Sequence, residues 1–412
     1  SVIFVSFDAR DAFKTLQCRP AKPGSGLERE DSGDDAVMDH GEVEVARSGR
    51  RVTVTDTGIA HWDAETVVYR GYDVRDLVRE STFTEVAYLL LYGELPDELF
   101  LADFQAVMAE SFAVPGPVQE LLEELPLHVA AGDVLRTAIS AVAHFDPQPG
   151  DRSIDADRAR AIRLLAQVPV LVSTRFRATR GFDPLQPDLE WSYPAQLVAL
   201  LTGQMPSPDL EKAIEVLLIS MVDAGFSRSV QAARLGISAG TDLYGAVLAA
   251  VSVEATTERS DLATRLISLW EDMPWDDDVD GWVREQLNSE AGLPGLVSLL
   301  EAPMDPRLGV LQIWTERLAV EGRGRAINRA AAEVERAAAQ WGWSPRWEWS
   351  AIRLLAVAGI EPELHLPLVA VSRLLGWAAH VLEQSGLPSS GVTEGHYVGP
   401  GPRDYPSLPD WD

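Results

Sequence analysis

Charged side chains set in apolar or aromatic surroundings are the first candidates for chemistry. Arg373 lies in the stretch LPLVAVSRLLGWAAHVLEQ, where an unpaired guanidinium is costly to bury. Two interpretations stay open: a salt bridge to a nearby acid such as Glu383, or a fork that holds a substrate carboxylate. Arg307, which follows Asp305 and Pro306, is a second candidate of the same kind.

Glu348 stands between Trp347 and Trp349. An aromatic pocket disfavours the charged form of a carboxyl group, which suits it to act as a general base or acid. The alternative is an acid on a solvated helix face. The sequence around Glu348 does not decide between the two.

Common metal and nucleotide motifs are missing from the sequence. No histidine stands in a zinc-ligand spacing, so we expect no metal site, and neither GxGxxG, GxxxxGK[ST] nor GxSxG occurs. Asp276, Asp278 and Asp280 copy the first half of a calcium loop, but Leu287 stands where a bidentate Glu is needed. We interpret one of these acids as the cap of a helix that begins near Trp282.

The elements that must hold these groups are mostly helical. Two short strands are predicted around a turn at residues 61–65, within a small β element near residues 51–70. From Asp73 onward the pattern is helical, and Thr82 and Glu85 have the spacing of a capping box. Residues 214–222 and 243–253 are apolar on nearly every face, which predicts helices covered on all sides by a deep core or by a second subunit.

Composition limits the possible partners. The 412 residues carry a net charge of −28, so nucleic acid and membrane surfaces are poor candidates, and we expect a cytoplasmic protein. The single cysteine, Cys18, excludes an intrachain disulfide, and residues 1–50 contain a Pro-, Gly- and Ser-rich stretch typical of a linker. Eight of the twelve tryptophans fall between residues 270 and 349 and mark a second lobe, as core filling or for stacking on a ligand.

Several short motifs, each weak alone, resemble the citrate synthase family when taken in order. They run from about residue 50 to residue 403, in the family's order and spacing. The motifs are VYRGYDV at 68–74, EVAYLLLYGELP at 85–96, DVLRTA at 133–138, DPR at 305–307, GWAAH at 376–380 and YVGPGPR at 397–403.

This resemblance implies a mostly α citrate synthase-like fold with a short N-terminal β element. The implied large domain spans residues 51–260 and 354–412, and a small inserted domain spans 261–353, behind an N-terminal extension over 1–50. It also implies a homodimer with the active site in the cleft between domains. The reaction it suggests is condensation of acetyl-CoA with oxaloacetate to citrate.

The family's catalytic positions are only partly kept here. One family histidine aligns near Arg259 and a second aligns with Ser298. A dicarboxylate-binding His-x-Asp-His motif aligns with residues 221–224 and keeps only Asp223. The arginine that reaches across the family's dimer aligns with Val392. The general base position matches Glu348, and two carboxylate-binding arginine positions match Arg307 and Arg373.

Two functions follow from this pattern. The first is a citrate synthase-like protein without ordinary citrate synthase activity, which binds a di- or tricarboxylate as the non-catalytic partner of an intact subunit or as a homodimer. The second is an acyltransferase of the citrate synthase type with a remodelled site, in which Glu348, Arg307 and Arg373 act on another carboxylate. No bound cofactor is expected, and acetyl-CoA or another acyl-CoA is a possible substrate.

Overall fold

The computed structural model describes residues 43–47, 50–54, 56–63, 65–275, 278–289, 292–300 and 304–387. The chain divides into two units, residues 1–58 and 59–412. In the first unit, strands β1 (Val43–Arg47) and β2 (Arg50–Val54) pair antiparallel. Most of the predicted N-terminal extension lies outside the described residues, as do Val392 and the YVGPGPR motif.

A small antiparallel sheet opens the second unit. Its strands are β3 (Ala60–Trp62), β4 (Val67–Tyr69) and β5 (Tyr72–Asp73), in that order. The carboxylate of Asp63 accepts hydrogen bonds from the backbone N–H groups of Glu65 (2.8 Å) and Thr66 (2.7 Å), which closes the turn between β3 and β4. The two strands predicted around this turn are confirmed.

Helices make up most of the described part of the second unit. They are α1 (Val74–Glu80), α2 (Phe83–Tyr92), α3 (Glu98–Glu110), α4 (Gly116–Glu124), α5 (Ala131–Ala143), α6 (Ile154–Ala178), α7 (Tyr193–Thr202), α8 (Pro208–Met221), α9 (Arg228–Ser238), α10 (Leu243–Glu254), α11 (Thr257–Glu271), α12 (Val279–Asn288), α13 (Leu308–Leu318), α14 (Gly322–Ala339), α15 (Trp347–Val357) and α16 (Pro362–Ser385). The mostly helical fold predicted from the sequence is confirmed.

Side-chain caps explain where several helices begin. The predicted capping box is present at α2, where Thr82 Oγ1 accepts from Glu85 N and Glu85 Oε2 accepts from Thr82 N at 2.7 Å. Asp278 caps α12 by accepting from Gly281 N at 3.0 Å, in agreement with the interpretation of that acidic run.

Two hydrophobic cores hold the helices together. The first contains buried side chains of α6, α8, α10 and α16, and the second contains those of α11, α14 and α15, including an edge-to-face pair between Trp270 and Trp349. Near the second core, β6 (Leu296–Ser298) pairs antiparallel with β7 (Trp343–Pro345), a strand pair that the sequence analysis missed. The boundaries predicted for the large and small domains stay a prediction.

The apolar helices differ in how far one chain covers them. In α8, the apolar side chains from Ile214 to Ile219 are fully buried, so a single chain accounts for this segment without a second subunit. In α10, Leu248 is half-buried and Val253 is exposed. Helix α16 is long and apolar enough to cross a membrane by length and composition alone, but 94% of its most apolar window is buried inside the protein. It is therefore a core helix.

Candidate functional site

A cavity of about 210 Å³ gathers most of the predicted charged residues. Its walls come from β3, the segment after α8, the α10–α11 junction, the segment before α13, the start of α15 and the middle of α16. The lining residues are Trp62, Ala224, Ser227, Glu254, Arg259, Asp305, Arg307, Arg346, Trp347 and Arg373. The chain thus brings Arg259, Arg307 and Arg373 together from positions far apart in sequence.

Arg373 reaches this cavity from within the first core. It is 2% exposed, and its guanidinium stacks on the indole of Trp347, 4.7 Å from the ring centroid. Within the described part of the chain, its Nε and Nη2 have no hydrogen-bond partner. The salt bridge to Glu383 considered from the sequence is wrong, because Glu383 binds Arg234 at 2.6 Å. Burial lowers the pKa of Arg373 from its usual value, because an apolar environment disfavours the charged form.

Arg307 is satisfied by the protein itself. Its Nε and Nη2 donate to the carboxylate of Asp305, at 3.0 and 2.6 Å, and its Nη1 donates to the backbone carbonyls of Ser220 (2.8 Å) and Asp223 (3.0 Å). Burial favours the neutral form of Asp305, but the hydrogen bonds and charge of Arg307 outweigh it and hold the pKa of Asp305 below its usual value. The Arg307 guanidinium lies 4.2 Å from the centroid of the Trp62 ring.

Arg259, in the first turn of α11, is ion-paired with Glu254, the last residue of α10. Glu254 is buried and also accepts a hydrogen bond from the Ser229 hydroxyl at 2.9 Å. That hydroxyl in turn accepts from the indole N–H of Trp377 at 3.2 Å. Sequence analysis did not single out Glu254, although an acid that ends the apolar run of α10 was a usable signal.

Glu348 lies at the edge of the cavity, in the first turn of α15. It is 8% exposed, so the solvated helix face considered from the sequence is wrong. Its Oε1 is 3.7 Å from Arg259 Nη2, and its Oε2 is 3.6 Å from Arg346 Nε. Oε2 is buried and makes no hydrogen bond to any described residue, so it is available to a ligand or water.

A smaller cavity of about 30 Å³ adjoins Glu348 and contains a histidine that sequence analysis missed. His365 lines this space together with Glu348 and Arg259. Its Nε2 hydrogen-bonds with the Ile360 carbonyl at 2.9 Å, and its Nδ1 is buried without a partner among the described residues. Burial lowers the pKa of His365 to about 4, so the ring is neutral near pH 7. No motif marks His365, because its place depends on the packing of α16.

Asp223 is buried outside the lining of the larger cavity. Its Oδ2 pairs with His380 Nε2 at 3.0 Å, and its Oδ1 accepts from Gly225 N. Burial raises the pKa of this carboxyl, but the hydrogen bond and charge of His380 outweigh that effect and lower it. The Asp223 carboxylate therefore holds α16, while its backbone carbonyl helps to orient Arg307.

Ser298 does not line either cavity. It lies on β6 opposite Trp343, and its hydroxyl accepts from Leu300 N at 3.3 Å. The structure thus brings together Arg259, Arg307, Arg373 and, at the edge, Glu348, but leaves Ser298 and the Asp223 side chain apart from them.

Solved structures of citrate synthases have the same fold. The Thermotoga maritima enzyme matches with a TM-score of 0.75 and 23% identity, over 86% of this chain and 96% of that one. The Thermoplasma acidophilum enzyme, solved as a ternary complex with carboxymethyl coenzyme A and oxaloacetate, matches with a TM-score of 0.78 and 21% identity, over 87% and 97%. These likenesses establish a citrate synthase-like helical fold.

Sequence relatives give the class of the protein. The family pattern described as the citrate synthase C-terminal domain matches residues 48–390. The citrate synthase of Haloferax volcanii is 28% identical over 356 residues, 84% of this chain and 92% of that protein. The 2-methylcitrate synthase of Shewanella oneidensis is 28% identical over 343 residues, 82% and 90%. The chain belongs to the citrate synthase family.

Proposed function

We propose that this chain binds a carboxylate in the arginine-lined cavity and does not carry out ordinary citrate synthesis. The observation that supports binding is Arg373, a buried guanidinium whose Nε and Nη2 find no hydrogen-bond partner in the described part of the chain. Leaving such a charge unpaired costs several kcal/mol unless a ligand completes it. The di- or tricarboxylate expected from the family resemblance stays a prediction.

The arrangement of charged groups argues against ordinary turnover. Enolising a thioester requires an acid at the carbonyl oxygen while a base removes the α-proton. Glu348 is buried at the position of the base, but Arg259 is held by Glu254, and Ser298 lines neither cavity. Removing one positioned acid typically slows a reaction by about 10²–10⁴-fold.

The second candidate is an acyl-CoA-dependent enzyme with a remodelled site. Glu348 favours it, because its buried Oε2 makes no hydrogen bond to a described residue and so has room to accept a proton from a substrate. Acetyl-CoA or another acyl-CoA is then a substrate, and the reaction forms or cleaves a carbon–carbon bond. Turnover of any acyl-CoA with a carboxylate co-substrate would select this candidate over the first.

We also propose that the chain works in the cytoplasm as a dimer, either with itself or with an intact family member. Helix α9 leaves Leu235 63% exposed, and α10 leaves Val253 exposed. A chain that keeps such a surface can complete or regulate the site of a catalytic partner.

Calorimetric titration of the purified protein with oxaloacetate, citrate and acetyl-CoA tests binding. Arg373→Ala is expected to weaken carboxylate binding by about 10- to 100-fold, because one charge-assisted fork contributes roughly 1.5–3 kcal/mol. Arg323→Ala is the charge-matched control, since Arg323 is exposed and pairs with Glu271 outside the cavity. Equal affinities of the unmodified protein and Arg373→Ala would make Arg373 a structural residue and end the proposal.

A further inference from the structure

A further cavity, of about 240 Å³, lies where α2, α3, α7 and α8 meet. We call it the α7 cavity, and its walls include Phe112, Glu190, Trp191, Tyr193, Gln196 and Glu215. It shares no lining residue with the arginine-lined cavity. None of the described residues in its wall is a lysine, an arginine or a histidine. An anionic ligand would therefore meet no opposite charge in this wall.

Gln196 gives the α7 cavity a hydrogen-bond acceptor that has no partner. The residue is 6% exposed, and its Nε2 donates to the Trp191 carbonyl at 3.1 Å, which determines which end of the amide is the oxygen. The Oε1 atom is buried and accepts no hydrogen bond from any described residue. Because a buried acceptor without a partner costs stability, we expect a donor from outside the chain to complete it.

Acidic groups predominate around the α7 cavity. Glu190 and Glu215 line it, and three further acids accept hydrogen bonds from lining residues, namely Glu85, Asp188 and Glu211. Lys212 neutralises Glu215, at 2.9 Å from its Oε2. Among the described residues, the other four acids have no ion pair. Five acids and one lysine leave the surroundings of the cavity negative, which favours a cationic ligand.

Aromatic side chains supply the apolar part of the wall. Tyr193 and Phe112 are both buried and line the cavity, with ring centroids 6.5 Å apart, and Trp191 adds a partly buried indole. The Tyr193 hydroxyl donates to the Leu165 carbonyl at 2.7 Å, so its proton is already used inside the protein. Aromatic rings attract cations, and they also cover the carbon chain of an organic ligand.

We propose that the α7 cavity binds a small organic cation that carries N–H groups, a primary or secondary ammonium ion. Its N–H groups donate to Gln196 Oε1 and to the carboxylate of Glu190 or Glu215, and its carbon chain packs against the aromatic wall. The α7 cavity is separate from the arginine-lined cavity, so this inference does not depend on the proposed carboxylate binding.

Three small ligands separate the effect of charge from that of hydrogen bonding. Propylammonium has a charge and N–H groups, 1-propanol has no charge, and tetramethylammonium has a charge but no N–H group. In calorimetric titration of the full chain at fixed ionic strength, we expect propylammonium to bind at least about tenfold more tightly than either other ligand. Equal binding of propylammonium and either other ligand overturns the proposal, as does a titration in which propylammonium does not bind.

Two charge variants test whether the cation occupies the α7 cavity. Glu190→Gln and Glu215→Gln should each weaken propylammonium binding about tenfold, and Glu215→Gln also leaves Lys212 without its partner. Glu190 is exposed, so its variant serves if Glu215→Gln does not fold. Glu271→Gln is the matched control, because Glu271 does not line the cavity. Unchanged binding in both cavity variants would contradict the proposal.

Gln196→Met tests the unpaired oxygen directly. Methionine keeps the length of the side chain but has no oxygen that could accept an N–H group. We expect propylammonium binding to weaken about tenfold in this variant and tetramethylammonium binding to stay the same, because tetramethylammonium has no N–H group to donate. Loss of affinity for both cations by the same factor would contradict the role of Gln196 Oε1.

Discussion

At the scale of single residues, two of the arginines in the site form ion pairs with acids of the chain itself. Arg259 is ion-paired with Glu254, and Arg307 is enclosed by Asp305 and two carbonyls. Neither arginine can shuttle a proton, because a guanidinium stays charged at any ordinary pH. The larger cavity thus offers Glu348, at its edge, no arginine that can act as the matching proton donor.

The first prediction is that the purified protein alone makes no measurable citrate from acetyl-CoA and oxaloacetate. A thiol-release assay should give less than about 0.1 s⁻¹, about 100-fold below a common enzyme rate of about 10 s⁻¹. The reason is that Arg259 is ion-paired and Ser298 lines neither cavity, at the two positions where the family resemblance implies histidine. Turnover above that limit would show that another residue supplies the acid.

The second prediction concerns the pH dependence of stability at His365. Its pKa is about 4 in the folded chain against 6.5 for an ordinary histidine, so the unfolded chain binds more protons between these values. This contribution to the free energy of unfolding is present above pH 6.5 and is lost as the pH falls towards 4. The loss between pH 7 and pH 5 should be about 2 kcal/mol.

Urea denaturation at the two pH values measures this loss. His365→Phe should reduce the difference between pH 7 and pH 5 by about 2 kcal/mol, whatever it does to stability at either pH alone. His128→Gln is the matched control, because His128 is exposed and should leave the difference unchanged. A His365→Phe protein with the same pH difference as the unmodified chain would mean that His365 becomes protonated without cost.

Some residues of the site could be predicted from the sequence and others could not. Arg373 and Glu348 stood out because a charge in an apolar or aromatic stretch needs a reason. Arg373 lines the larger cavity and Glu348 lines the smaller one. Glu254 and His365 were missed because their roles depend on which helices meet, and no local spacing records that. For the same reason, the sequence could not decide whether Arg373 binds a ligand carboxylate or forms a salt bridge to Glu383. The structure decides this because it places Glu383 against Arg234.

At the scale of elements, α16 approaches the end of α8 closely at Gly376. A Cβ atom on Gly376 would lie 2.2 Å from the Val222 carbonyl oxygen, so only glycine permits this approach. On the same helix, His380 pairs with Asp223 and Arg373 lines the larger cavity. The close approach at Gly376 therefore helps to position both side chains. The sequence predicted a helical pattern from Asp73 onward but gave no bounds for α16, and the three-residue strands β6 and β7 carry too few residues for a pattern.

The third prediction is that Gly376→Ala destabilises the protein by about 2–3 kcal/mol, because the backbone of Val222 cannot move aside cheaply. Chemical denaturation measures the change. Gly309→Ala in α13 is the control: a Cβ atom there meets nothing within 4 Å, and stability should stay the same or rise slightly. Equal stability of the two variants would contradict the close approach of α16.

At the scale of the whole molecule, the fourth prediction is a dimer. Light scattering at micromolar concentration should give a mass near twice 45.0 kDa. Leu235→Glu on the exposed side of α9 should shift the mass towards the monomer, since a charge in an apolar interface is costly. Leu300→Glu, at a residue that is 98% exposed, should leave the mass unchanged. If the protein is a monomer and also binds no family member in co-expression, the dimer proposal is wrong. Ligand binding by a single chain would then remain as the proposed function.

Helix α15 contributes to both hydrophobic cores. Ala351 and Leu354 pack into the first, while Trp349 and Ile352 pack into the second. The two cores therefore share α15. If either core unfolds, one side of this helix loses its packing partners. Heating should consequently produce one cooperative unfolding transition for residues 59–387. We expect no separate unfolding of the second hydrophobic core at a lower temperature.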